Sequence, residues 1–138
     1  MQGVDMDIGK PRKKGCYIGA PAVFILEREC RIINEAFGAD AYGCYTVGSC
    51  LERPDWRDVD VRLIMSDAGF AELFPDAGEY WECDARWILM TVSISQFLSK
   101  QTGLPIDFQF QPQTQANLTH KGPRNAMGLH ITMEMQKG

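Results

Sequence analysis

The chain has 138 residues, 45% of them hydrophobic and 23% charged. A chain of this size buries roughly two-thirds of its unfolded surface, which suffices for one domain with a core but not for two. With 13 Gly and 7 Pro it is neither collagen-like nor of low complexity. Its 14 Lys+Arg against 18 Asp+Glu give a net charge of −4, which excludes an all-over nucleic-acid-binding surface but not a local basic patch.

The first residues, Met1-Gln2-Gly3-Val4-Asp5, carry an acid where a secretory leader needs positive charge, and no apolar stretch follows. The five cysteines (Cys16, Cys30, Cys44, Cys50 and Cys83) contain no C-x-x-C pair, so they are expected to be reduced thiols in a cytoplasmic protein. No apolar run approaches the ~20 residues of a membrane helix, and no membrane partner is expected.

Residues 1–20 contain the basic stretch Lys10-Pro11-Arg12-Lys13-Lys14-Gly15, read as a flexible, solvated arm. A phosphate-contacting arm is the alternative. Residues 21–138 are expected to form one domain. From Pro21, the residues Val23, Leu26, Cys30, Ile33 and Phe37 recur at steps of three and four, which predicts a helix stopping at Gly38. Residues 41–47, rich in Tyr, Thr and Val, read as a strand that runs into Gly48-Ser49. After a polar loop over 50–57, Val59, Val61, Leu63 and Met65 alternate with Asp58, Asp60, Arg62 and Ile64, the period of a strand with two unlike faces.

A weak helix is expected over 68–74, ending at Pro75. Asp84 can cap a second long helix that stops near Gln101, ahead of Gly103 and Pro105. This helix is apolar on several sides, so most of its surface is expected to be covered. Over 105–111, Ile106, Phe108 and Phe110 alternate with Asp107, Gln109 and Gln111. The stretch 112–124 reads as a polar loop, and Leu129, Ile131, Met133 and Met135 suggest a last strand. The sum is an α/β or α+β domain with a small mixed sheet.

The chemistry lies between Tyr45 and Met65. A Gly-Ser turn at a strand end presents backbone N–H groups and a hydroxyl to an anion such as phosphate. Asp58 and Asp60, two apart on a strand, project from one face with Cα atoms ~6.5–7 Å apart. Carboxylates so placed suit a pair of Mg²⁺ ions ~3.5–4 Å apart, as two-metal phosphoryl transfer requires. With ten Asp in the chain, about 0.7 Asp-x-Asp triplets arise by chance, and Asp5-Met6-Asp7 is such a decoy. Context separates the second triplet: a strand and Gly-Ser turn precede it, and a third acid, Asp107, sits on a later strand.

This composite resembles the DNA polymerase β-like nucleotidyltransferase superfamily, in particular its minimal stand-alone members. Val47, Gly48 and Ser49 match the family's hydrophobic-Gly-Gly/Ser element, Asp58-Val59-Asp60 its paired acids, and Asp107 its third acid. The resemblance covers roughly residues 22–111. It implies a nucleotidyltransferase-like fold in which Gly48 and Ser49 hold the triphosphate of an NTP, and Asp58, Asp60 and Asp107 hold Mg²⁺ or Mn²⁺. Asp107 would also draw the proton from the attacking hydroxyl. The acceptor, whether a protein, an RNA end or a small molecule, is left open. A homodimer or a helical partner is expected to cover the nucleotide cleft, since no helical partner domain follows the third acid. Beside this stands the alternative of a catalytically silent nucleotide-binding or protein-interaction module.

Arg53, Arg57 and Arg62 flank the acids; Arg57 and Arg62 are the candidate phosphate neutralisers, with surface ion pairing as the alternative. Trp56 is read as covering the core rather than stacking on a base. Lys121, Arg124 and His130 are read as a solvated tail, and His120 is assigned no role.

Overall fold

In a computed structural model, which describes residues 17–129, the expected stripe becomes the buried face of α1 (Ala22–Ala36), with Leu26, Cys30 and Ile33 in the core. The chain continues as β1 (Ala41–Val47), a 3-10 turn over Gly48–Leu51, and β2 (Val59–Met65). Then come α2 (Asp67–Leu73), α3 (Ala85–Thr102) and β3 (Ile106–Pro112). Asp84 caps α3 by accepting from the Trp87 N–H at 3.0 Å, and Gly103 ends it at φ +76, as the sequence indicated.

The last elements among the described residues are α4 (Gln113–Thr119), which corrects the expectation of a polar loop over 112–124, and β4 (Asn125–Met127). Polar sequence does not exclude a helix held at both ends. Asp67 accepts from both the backbone N–H and the hydroxyl of Thr114 in the first turn of α4. At the other end the Arg124 guanidinium donates to the carbonyls of Ala116 and His120 and to Asn117 Oδ1. Arg124 is thus a cap, which corrects the solvated-tail reading. The strand expected around 129–135 lies largely outside the described residues.

The four strands of the described residues form one mixed sheet in the order β3-β2-β1-β4, an α+β arrangement. β1 pairs antiparallel with β2 and with β4, while β2 and β3 run parallel. The Asn34 side chain ties α1 to this sheet: its amide donates to Met127 O at 2.9 Å, and its oxygen accepts from Cys44 N–H at 2.8 Å.

Strand alternation sorts the two faces. Val59, Val61, Leu63, Ile106, Phe108 and Phe110 form the apolar one, buried with α1 and α3 and fastened by edge-on contacts of Phe110 with Phe37, Phe74 and Phe108 at 5.1–5.2 Å. Asp60, Arg62, Asp107, Gln109 and Gln111 line the other, and α4 packs against β2 and β3. α3 is less covered than its composition suggests: Ile88, Leu89, Val92 and Phe97 are exposed, because its buried stripe is confined to Trp87, Thr91 and Leu98.

Candidate active site on the polar face of the sheet

Three strand ends meet at one end of the polar face. Val47, the last residue of β1, stands opposite Asp60 across the antiparallel ladder, and Asp60 stands beside Asp107 in the parallel one. The sheet register alone therefore brings together residues 47, 60 and 107. Gly48 follows with φ +81, and a Cβ there would sit 2.7 Å from Asp60 Oδ2. Only glycine both turns the chain here and leaves open the space in front of that carboxylate. Ser49, half-buried, begins the turn whose end is held by its carbonyl, which accepts from the N–H groups of Glu52 and Arg53, each at 3.0 Å.

Asp58 lies just before β2 and is exposed. Its charge is nevertheless felt at Asp60, whose pKa is raised above the usual 3.8. Burial is the main cause, Arg62 opposes it, and Asp107 and Asp58 add to it by repulsion. The convergence expected of three acids is partial. Among the described residues, no three His, Cys, Asp or Glu side chains are grouped closely enough to hold a metal together. Asp60 and Asp107 are paired by the strand register, and Asp58 stands within electrostatic reach of Asp60.

Arg62 is the residue whose surroundings depart most from a loop-side phosphate contact. It is only 7% exposed, with Nη2 at 3.4 Å from Asp107 Oδ2 and 3.9 Å from Asp60 Oδ1. Its Nη1 donates to the carbonyls of Asp107 at 2.6 Å and Val61 at 3.1 Å. Its Nε is buried with no hydrogen-bond partner. Arg57, by contrast, is exposed, and Arg53 pairs with Asp55 at 3.3 Å, a surface contact of little energetic weight. The Trp56 indole donates to Tyr17 O at 3.1 Å and packs against the core, as its covering role predicted.

His120 was missed by sequence reasoning. It ends α4, its Nε2 is buried without a partner, and its pKa is lowered by burial and then by the charges of Arg62 and Arg124. No sequence signal marked it, because only the return of α4 over the sheet brings it toward Arg62. Gln111 was legible as a polar-face residue, yet not as a buried one, and its Oε1 also lacks a partner. An open recess of about 280 Å³, lined in part by Phe37, Asp40, Met65, Gly69 and Leu73, lies at the far end of β2 from Asp60 and plays no part here.

Comparison with protein-family models, with curated proteins and with solved structures gives no match. Among the described residues no helix is long and apolar enough to cross a membrane.

Proposed function

We propose that the chain is a metal-dependent nucleotidyltransferase that moves an NMP from an NTP to a hydroxyl acceptor. The single observation that carries this reading is the register: Val47, with Gly48 directly after it, stands opposite Asp60 across β1 and β2, and Asp60 and Asp107 adjoin across β2 and β3. Hard carboxylate oxygens suit Mg²⁺ or Mn²⁺, which keep few protein ligands and take the rest from phosphate and water. The missing Cβ at Gly48 leaves room before Asp60 Oδ2. Asp60 and Asp107, joined by Asp58, would hold the metal, which when bound neutralises the triphosphate and polarises its α-phosphorus.

Gly48 and Ser49 hold the phosphates through backbone N–H groups and the hydroxyl, with Arg57 as the exposed counter-charge. Asp107 accepts the proton of the acceptor hydroxyl as its oxygen bonds to the α-phosphorus, and the bond to the bridging oxygen breaks to release pyrophosphate. The uncovered residues of α3 are the surface for a second copy or a helical partner.

A second reading, a silent nucleotide-binding or protein-interaction module, draws on Arg62, whose guanidinium already neutralises the acids. Thermal melting with NTP and Mg²⁺ or Mn²⁺, followed by pyrophosphate release, separates the two. Asp60→Asn is expected to abolish both the metal-dependent shift and transfer. Its metal-free stability should hold or rise slightly, because a half-buried charge is removed. The decoy change Asp5→Asn should alter neither. A wild-type metal-dependent shift in Asp60→Asn would end the enzyme reading.

A further inference from the structure

The acidic pair already has a resident cation. We propose that Arg62 is a built-in competitor for the divalent metal, so that the site takes metal as a metal–polyphosphate complex rather than as the bare ion. The proposal rests on the reading of Asp60 and Asp107 as metal ligands.

Two carboxylates in register on adjacent strands repel, and Arg62 supplies the charge that lets them coexist. Its hold is not that of a solvated surface pair. The side chain is 8% exposed and is fixed by two backbone carbonyls as well as by the acids. A bare divalent ion approaching the pair meets this fixed positive charge and finds Asp60 Oδ1 and Asp107 Oδ2 already engaged. The guanidinium itself is buried, so solvent screens this repulsion less than it would at an open surface.

A polyphosphate reverses the balance. It brings several negative charges, which cancel the guanidinium, and oxygen ligands for the metal. It also brings acceptors for Arg62 Nη2, whose contacts with the acids are long, at 3.4 and 3.9 Å. Metal and polyphosphate then raise each other's affinity by one and the same factor, as linkage requires. Arg62 thereby serves to keep the site from loading with metal alone.

The test is calorimetric titration of the full chain with Mn²⁺, with inorganic tripolyphosphate, and with their preformed complex. The wild type should bind the complex at least tenfold more tightly than either component. Arg62→Gln, checked for folding by circular dichroism, should bind Mn²⁺ alone at least tenfold more tightly than the wild type. Arg57→Gln removes the same charge from the exposed loop and should show no such gain. Unchanged or weaker Mn²⁺ binding by folded Arg62→Gln overturns the proposal. So does wild-type protein that binds Mn²⁺ alone as tightly as the complex, a result that stands even where Arg62→Gln fails to fold. If Arg62→Gln gains Mn²⁺ affinity while no NTP releases pyrophosphate, the competition by Arg62 holds and the transferase reading falls.

Discussion

At Gly48 two demands fall on one residue. The backbone has φ +81, which side chains other than glycine rarely adopt, and the missing Cβ faces Asp60 Oδ2 at 2.7 Å. The carboxylate is the end of a side chain, but a short one within reach of Arg62, so it has little freedom to withdraw. Gly48→Ala should therefore cost about 1–3 kcal/mol of stability in urea unfolding, from backbone strain alone, and should also displace Asp60. In an Asp60→Ala background the steric part vanishes, so the cost of Gly48→Ala should shrink toward that strain. A neutral Gly48→Ala would mean that the turn is not held as described. The residues of this corner were legible because Gly, Ser and Asp each carry a distinct local signature. The partnership of Arg62 was not, since alternation places it on the polar face without saying whether it meets solvent or acid.

Among the elements, α3 does more than fill the core. Among the described residues β3 is an edge strand of the sheet, and edge strands expose unpaired N–H and C=O groups that invite pairing with other chains. The Trp87 indole donates to Phe110 O at 3.0 Å, and the Ser99 hydroxyl accepts from Ile106 N–H at 3.0 Å. Between them Ser95 donates to Phe108 O at 3.2 Å and accepts from Phe108 N–H at 2.9 Å. Residues 87, 95 and 99 fall on one side of the helix, so α3 stands in for a missing neighbouring strand. The sequence displayed these serines only as polar interruptions of an apolar helix, because their purpose depends on a strand that comes later in the chain. Ser95→Ala leaves both backbone groups of Phe108 unmet, at about 1–3 kcal/mol for a buried unsatisfied group. Amide exchange at Phe108 should speed up with the loss of stability, whereas unaltered exchange and stability would show that the edge is protected by other means.

For the molecule as a whole, legibility follows what holds each part. α1, β2 and β3 announce themselves by apolar period, since burial on one face selects that period, and β1 by its Tyr, Thr and Val. α4 and β4 depend on distant polar partners (Asp67, Arg124 and Asn34), and no period records such ties. The same ties make the docking of α4 sensitive to acid. Asp67, bonded to Thr114, has its pKa lowered from 3.8, so its contribution is present above that value and fades as pH falls through the folded pKa. His120, at the opposite end of α4, is held below 6.5 by burial and by Arg62 and Arg124. The unfolded chain binds this proton more readily, so stability is full above 6.5 and is lost as pH falls toward the folded pKa. Asp60 acts with the opposite sign: its raised pKa penalises the charged form in the fold, and the penalty lifts as it protonates. His120→Gln removes the imidazole and leaves both carboxylates in place. Urea-unfolding free energies measured from pH 7.5 to 5 should therefore fall more steeply for the wild type than for His120→Gln, and the difference between the two curves isolates the histidine. Parallel curves would mean that His120 meets its protons as freely in the fold as out of it, and that α4 does not shield the polar face beside Arg62.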